Sequence, residues 1–256
     1  MRPRIFLPQA FAPASLVTLP AQASRHVQVL RLQPGETVLL FNGSDGAEWP
    51  AEIVRIGRGA VDVSLGAAQA SDRELPCKVT LAVGVPANDR MDALVEKAGE
   101  LGAHAIQPLL CERSVLRLSG ARAEARHKHW SGVAAAASEQ CGRTRVCEVR
   151  PLLALPAWLE AGAAAVPPQA VLSLHPQARP AQAFWRDLAA SGDLSPEIVV
   201  LSGPEGGLTP DEEDAVVARG FVRVGLGARV LRADTAPLAF LAWLGLQASA
   251  QRGHVP

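Results

Sequence analysis

Apolar residues follow two different rhythms along the chain. Up to about residue 75 they come in short, largely alternating runs. Glu36-Thr-Val-Leu-Leu-Phe41 leads into Asn42-Gly43, a pair that tolerates positive φ and predicts a hairpin turn. Ala51–Ile56 and Ala60–Leu65 follow, set apart by Gly57 and Gly59. Short strands joined by tight turns predict a small barrel or sandwich. The polar stretch Gln69–Glu74 then reads as a linker.

From Cys77 onward, apolar strands alternate with helical patterns. Val79–Val85, Ala105–Leu110, Ala170–Leu174, Ile198–Leu201 and Phe221–Val224 are near-continuous apolar runs. Met91, Leu94, Val95, Ala98 and Leu101 repeat at helical spacing, with Asn88 as a candidate N-cap and Gly102 as a stop. Further helical patterns cover 122–141, 180–191, 210–219 and 236–250. Such strands, separated by helices, predict a parallel sheet covered on both faces. The division is therefore a small β domain over 1–72 and an α/β domain over 76–256.

Composition narrows the function class. Lys plus Arg is 25 and Asp plus Glu is 25, so the formal net charge is zero, which excludes a polybasic or acidic solvating tail but not a local basic face. Hydrophobic residues make up 48% of the chain, too many for disorder. No apolar run reaches the ~18 residues a bilayer span needs. The start MRPRIFLPQAF lacks a signal-peptide core, so no membrane association and a cytoplasmic location are expected. Cys77, Cys111, Cys141 and Cys147 form no C-x-x-C pair, and the six histidines show no H-E-x-x-H spacing, so no metal is expected.

Three stretches carry candidate chemistry. The first is Leu201-Ser-Gly-Pro-Glu-Gly-Gly-Leu-Thr-Pro-Asp-Glu212. A strand ends in a loop where Gly203, Gly206 and Gly207 allow close backbone approach, and Thr209-Pro-Asp-Glu212 opens a helix with a capping box. It is neither a P-loop nor G-x-G-x-x-G, so it reads equally as a ligand loop or as a plain turn. The second, Gly225–Ala236, leaves the next strand and enters the C-terminal helix, with Asp234 or Thr235 as its cap. Arg232 sits there beside a helix N-terminus, where the dipole gives a cation no benefit; it either serves an anionic substrate or is simply an exposed or acid-paired surface arginine. The third, Arg113 to Arg150, holds eight basic residues against four acids counted from the adjoining Glu112, plus His127 and His129. Arg113, Arg126, Arg143 and Arg145 belong to it. Phosphate contacts and a solvated helix face account for it equally. His175 closes the strand before it and is either a pocket residue or a buried histidine.

Arg4-Ile-Phe6, His26–Arg31, Phe41-Asn-Gly43, Glu96–Gly102, Glu139–Val146, Gly203–Gly207, Leu226–Arg232 and Thr235-Ala236 form an ordered set along the chain. In that set the chain resembles the ribosomal RNA small subunit methyltransferase E family of the SPOUT superfamily. One departure is Asp234, where relatives commonly carry Glu.

The resemblance implies a PUA-like RNA-binding β-barrel, then a SPOUT α/β domain with a parallel sheet and a deep trefoil knot, in a homodimer. It implies S-adenosylmethionine as cofactor and the N3 position of a uridine in 16S rRNA, free or in the small ribosomal subunit, as target. Leu174, His175 and Pro176 would contribute to the cofactor site from one loop. Ser202, Gly203, Pro204, Glu205, Gly206 and Gly207 would do so from a second. Leu226, Gly227, Leu231, Thr235 and Ala236 would complete it. Arg232, with Arg143, would stabilise the developing uridine anion, and Glu139 would orient an arginine or take the proton. Arg4, Arg31, Arg113, Arg126 and Arg145 would contact RNA. Two alternatives remain open: a non-catalytic RNA-binding or ribosome-assembly protein of the same fold, and a SPOUT enzyme acting on another base.

Overall fold

A computed structural model describes residues 2–87, 90–162, 169–190 and 197–251, which fall into two compact units. The first comprises Met1–Glu74 together with Ser138–Val146; the second comprises Leu75–Ala137 and Cys147–Pro256. The candidate N-cap Asn88 lies outside the described residues.

The first unit is built on β1 (Arg4–Phe6), β2 (Leu16–Thr18), α1 (Ala21–Val29), β3 (Thr37–Phe41), β4 (Ala47–Ile56), β5 (Val61–Leu65) and β6 (Gln69–Ala70). The strands order as β1-β3-β4-β5-β2, with β6 paired to β4; β1 runs parallel to β3 and the other pairs are antiparallel. Alternation along β3 and β5 buries Val38, Leu40, Val61, Val63 and Leu65 in one core with Ile53 and Trp49. Two features differ from the sequence expectation. Helix α1 packs only Ala23, Ser24 and Val27 inward, a face too small to register as an apolar stripe. Asn42-Gly43 opens a five-residue loop rather than a two-residue turn. The Asn42 side-chain oxygen accepts the Ser44 and Asp45 N–H groups, and Gly43 and Gly46 take positive φ.

The second unit alternates β7 (Lys78–Gly84), α2 (Arg90–Glu100), β8 (Ala105–Leu110), α3 (Gly120–Cys141), β9 (Glu148–Val149), β10 (Leu153–Ala154), α4 (Leu155–Glu160), β11 (Gln169–Leu172), β12 (Arg179–Pro180), α5 (Ala181–Ala190), β13 (Glu197–Ser202), α6 (Pro210–Ala218), β14 (Val222–Gly225) and α7 (Thr235–Gln251). The last residues of α3, from Ser138, belong to the first unit. The sheet is parallel throughout, in the order β10-β8-β7-β13-β11-β14-β12, with β9 on β8. Strand burial is nearly complete: Val79, Leu81, Ala82, Ile198, Val200 and Leu201 are fully enclosed. Helices α2 and α7 contribute Leu94, Val95, Phe240, Leu241 and Leu244 to the packing. Among the described residues no helix is long and apolar enough to cross a membrane.

Candidate functional site

The carboxyl ends of β11, β13 and β14 surround a cleft of about 560 Å³, which is where open parallel sheets hold ligands. Each wall has a local cause. After β13, the chain folds sharply at Gly203, where a Cβ would lie 2.8 Å from the Leu208 nitrogen, and Gly207 takes φ +68°. Only glycine fits both demands. Helix α6 then starts with the capping box: Thr209 accepts from the Glu212 N–H, the Glu212 carboxylate accepts from the Thr209 N–H, and Pro210 occupies the first turn.

Two neighbouring connections hold this loop. The Glu205 carboxylate accepts the Ala87 N–H at 2.8 Å and faces Arg90 at 3.7 Å. On the β8–α3 side, Arg113 donates to the carbonyls of Gly206 at 3.1 Å and Leu208 at 3.3 Å. The Glu212 carboxylate also accepts the Glu112 N–H at 2.7 Å. Burial pushes the nearby Cys111 thiol up to about 12, with the Glu212 charge a second cause, so it is an inert packing group.

The cleft brings together Leu174 and His175; Ser202, Gly203, Pro204, Glu205, Gly206 and Gly207; and Leu226, Leu231, Arg232 and Ala236. Pro176, Gly227 and Thr235 flank it without lining it. His175 is exposed and its Nδ1 accepts the Gln177 N–H at 3.1 Å, so it is not a buried core histidine. Asp234 Oδ1 is enclosed with no hydrogen-bond partner among the described residues, so that oxygen does not cap α7. Arg232 is exposed, and its guanidinium has no hydrogen-bond or ion-pair partner among the described residues. Acid pairing is therefore not formed among the described residues, and a substrate contact and a plain exposed arginine both fit this position.

Several lining residues escaped the sequence reading. Glu213 is one: its carboxylate accepts from Ser173 Oγ at 2.8 Å and Arg223 Nε at 2.6 Å, fastening α6 to β11 and β14. Its only sequence signal was its position beside the capping Glu212. Arg229 is another exposed cation of the lining, two residues past Gly227 and unremarkable by spacing.

Three arginine expectations and one glutamate need correction or refinement in the first unit. Arg4 is buried, not RNA-facing: Nε donates to Glu48 at 3.0 Å, and the other nitrogens donate to the carbonyls of Ser138 at 2.5 Å, Glu139 at 3.2 Å and Arg143 at 2.9 Å. Arg143 is 3% exposed and its guanidinium grips Glu74 through Nε at 2.9 Å and Nη2 at 2.5 Å. A buried cation in a forked pair is a structural tie, not a group waiting for a substrate anion. Glu139 accepts the Phe6 N–H at 2.8 Å, which gives its carboxylate a structural partner. Arg145 is exposed but one nitrogen holds the Ser44 carbonyl at 2.8 Å. Arg31, at φ +56° after α1, and Arg126 on α3 are both exposed. Among the described residues no three His, Cys, Asp or Glu side chains gather as a metal site.

Comparison with known proteins supplies a context for this geometry. A model of the RNA methyltransferase domain matches residues 73–245, and a model of the RNA methyltransferase PUA domain matches residues 19–66. The chain is 29% identical to ribosomal RNA small subunit methyltransferase E of Bacillus subtilis (strain 168) over 228 residues, which is 89% of this chain and 88% of that one. It is 32% identical to the protein of that name from Synechocystis sp. over 238 residues, covering 93% and 75%. Among solved structures, ribosomal RNA small subunit methyltransferase E from Neisseria gonorrhoeae bound to S-adenosyl methionine superposes with a TM-score of 0.83 at 33% identity, covering 95% of this chain and 97% of that one. A Legionella pneumophila protein solved with the bound cofactor SAM superposes with a TM-score of 0.85 at 30% identity, covering 98% of each.

Proposed function

The chain belongs to the RNA methyltransferase family that includes ribosomal RNA small subunit methyltransferase E, and from that premise we propose that it methylates N3 of a uridine in 16S rRNA with S-adenosylmethionine. The observation that carries this reading is the cleft at the ends of β11, β13 and β14. It has the size of a nucleoside-sized ligand site. Its lining also suits the cofactor's parts. Leu172, Leu226 and Leu231 offer apolar contact for a flat ring, and Glu205 and Glu213, each also facing an arginine, place carboxylates in the wall. Gly203, Gly206 and Gly207 in the wall carry no side chain to stand between a ligand and the backbone.

S-adenosylmethionine, when bound, supplies an activated methyl group on its sulfonium. The protein's task is then the uridine, whose N3–H is a weak acid and a poor nucleophile while protonated. Loss of that proton spreads negative charge onto O2 and O4. Arg232, exposed at the cleft with its guanidinium unpartnered among the described residues, is assigned to receive that charge, with Arg229 a second exposed cation of the lining. Holding the base in line with the donor supplies the remaining rate gain. Arg143 and Glu139 are assigned no part in this step, because each side chain has a partner within the first unit. The PUA-type first unit, with Arg31 and Arg145 exposed, is read as the RNA grip. The same reading makes the protein a cytoplasmic homodimer with its C-terminal region tied in a deep trefoil knot.

The test is nucleoside mass spectrometry after incubation with S-adenosylmethionine and unmodified substrate, comparing naked 16S rRNA with small ribosomal subunits. N3-methyluridine is expected. A different methylated base would move the chain to another target, and RNA binding without cofactor binding by calorimetry would make it a non-catalytic binder.

A further inference from the structure

Arg113 sits at a junction that neither its exposure nor its charge explains alone. Its Nη1 donates to the carbonyls of Gly206 and Leu208, both cleft-lining residues. Its Cβ packs so near Gly206 that a methyl there would lie 2.9 Å away. A guanidinium has five N–H donors in one plane. The Nε–Nη2 edge of Arg113, the edge that matches two phosphate oxygens, makes no hydrogen bond among the described residues and the residue is exposed. Arg117 next door differs: its nitrogens hold the carbonyls of Cys111 at 3.4 Å and Glu112 at 2.7 Å, within its own loop.

We propose that Arg113 is a positioning residue that couples RNA to the cofactor, clasping the glycine loop with Nη1 while its free edge takes an RNA backbone phosphate. The inference rests on the RNA methyltransferase reading above. The physical reason is ordering. Without RNA, water competes for two exposed hydrogen bonds to the loop. A phosphate on the Nε–Nη2 edge fixes the guanidinium plane, so that Nη1 stays aimed at the loop carbonyls and holds Gly203–Leu208 in its cradle form. A cofactor that needs this form then binds a protein already ordered, so each ligand tightens the other by the same factor.

The experiment measures affinity for S-adenosylhomocysteine, which has no methyl to transfer, with and without saturating unmodified 16S rRNA transcript. RNA is expected to tighten the wild type about five-fold or more. Arg113→Ala should bring that ratio to about one, and should lower the slope of log affinity against log salt for RNA by about 0.7–0.9, one phosphate contact. Arg117→Ala should keep the wild-type ratio. A merely structural Arg113 would weaken the ligand equally with and without RNA and leave the ratio intact, which overturns the proposal; so does a wild-type ratio of one. Should Arg113→Ala not fold, Arg113→Lys keeps the charge but lacks the planar fork, and is expected to keep the salt slope while losing the ratio. Failure of the underlying reading is a separate result: no methylated nucleoside from wild type with S-adenosylmethionine.

Discussion

Gly84, the last residue of β7, and Pro204 in the β13–α6 loop approach so closely that a Cβ on Gly84 would lie 2.5 Å from the Pro204 nitrogen. That distance is shorter than real Cβ contacts, and the obstacle is backbone, not a flexible side-chain tip. The glycine loop therefore rests directly on the end of the neighbouring strand.

Gly84→Ala is expected to push this loop outward. The overpacking should cost about 1–3 kcal/mol of stability. The more telling loss is in S-adenosylmethionine affinity, read by calorimetry at a temperature where the variant remains folded. An unchanged affinity would mean that the loop's position does not matter to the cofactor.

The contact between Gly84 and Pro204 shows what a chain read in one dimension leaves hidden. Local chemistry was legible. Thr209, Pro210 and Glu212 specify the start of α6 within four residues, and the glycines that follow β13 announce a backbone-accessible bend. The apolar runs of β7, β13 and β14 predicted a parallel sheet because both faces are covered. Long-range pairing was not legible. Arg143 looks like any loop arginine until Glu74 arrives from a distant part of the sequence to bury it. The same holds for Arg4, whose partners lie in Ser138–Arg143. Strand β4 begins four residues ahead of the sequence estimate because Pro50, within the run, discourages a strand assignment. Spacing carries no signal for Glu213, whose role is set by Ser173, just past β11, and Arg223 on β14.

The Arg143–Glu74 tie predicts a stability phenotype where a catalytic arginine would predict a kinetic one. Each single variant, Arg143→Ala or Glu74→Ala, breaks this forked pair at the buried guanidinium and should lower the denaturation midpoint. The double variant should lose less than the sum, with a coupling of about 0.5–3 kcal/mol by a double-mutant cycle. Strict additivity would show that the pair contributes nothing as a pair.

His104 predicts an acid-sensitive edge of the parallel sheet. Its side chain is half-buried beside β7; burial lowers its pKa from the ordinary 6.5, and Lys78 and Arg150 push the same way against Glu197 and Glu148. A histidine with a depressed folded-state pKa takes up protons more readily when unfolded. Its favourable contribution is complete above about pH 6.5 and is lost as pH falls through the lower folded value. Melting at about pH 7.5 and about pH 5 should therefore differ more for the wild type than for His104→Asn. Equal pH sensitivity in the two proteins would place the acid response elsewhere.

Arg232 carries the prediction closest to the chemistry. It lines the cleft, is exposed, and has no hydrogen-bond or ion-pair partner among the described residues, so removing it should leave the fold intact. Its proposed task is to receive charge that exists only once the uridine N3–H has begun to leave. A group of that kind lowers the barrier without tightening the resting complex. Arg232→Ala should then reduce kcat by about 10²–10³-fold, as loss of a transition-state donor does, while S-adenosylmethionine affinity and melting temperature stay close to wild type. Raising pH should restore part of the rate in the variant, because deprotonated uridine becomes more abundant in solution and less depends on the missing cation. A variant with wild-type turnover on 16S rRNA would transfer the anion-stabilising role to another cation of the lining, of which Arg229 is the nearest in sequence.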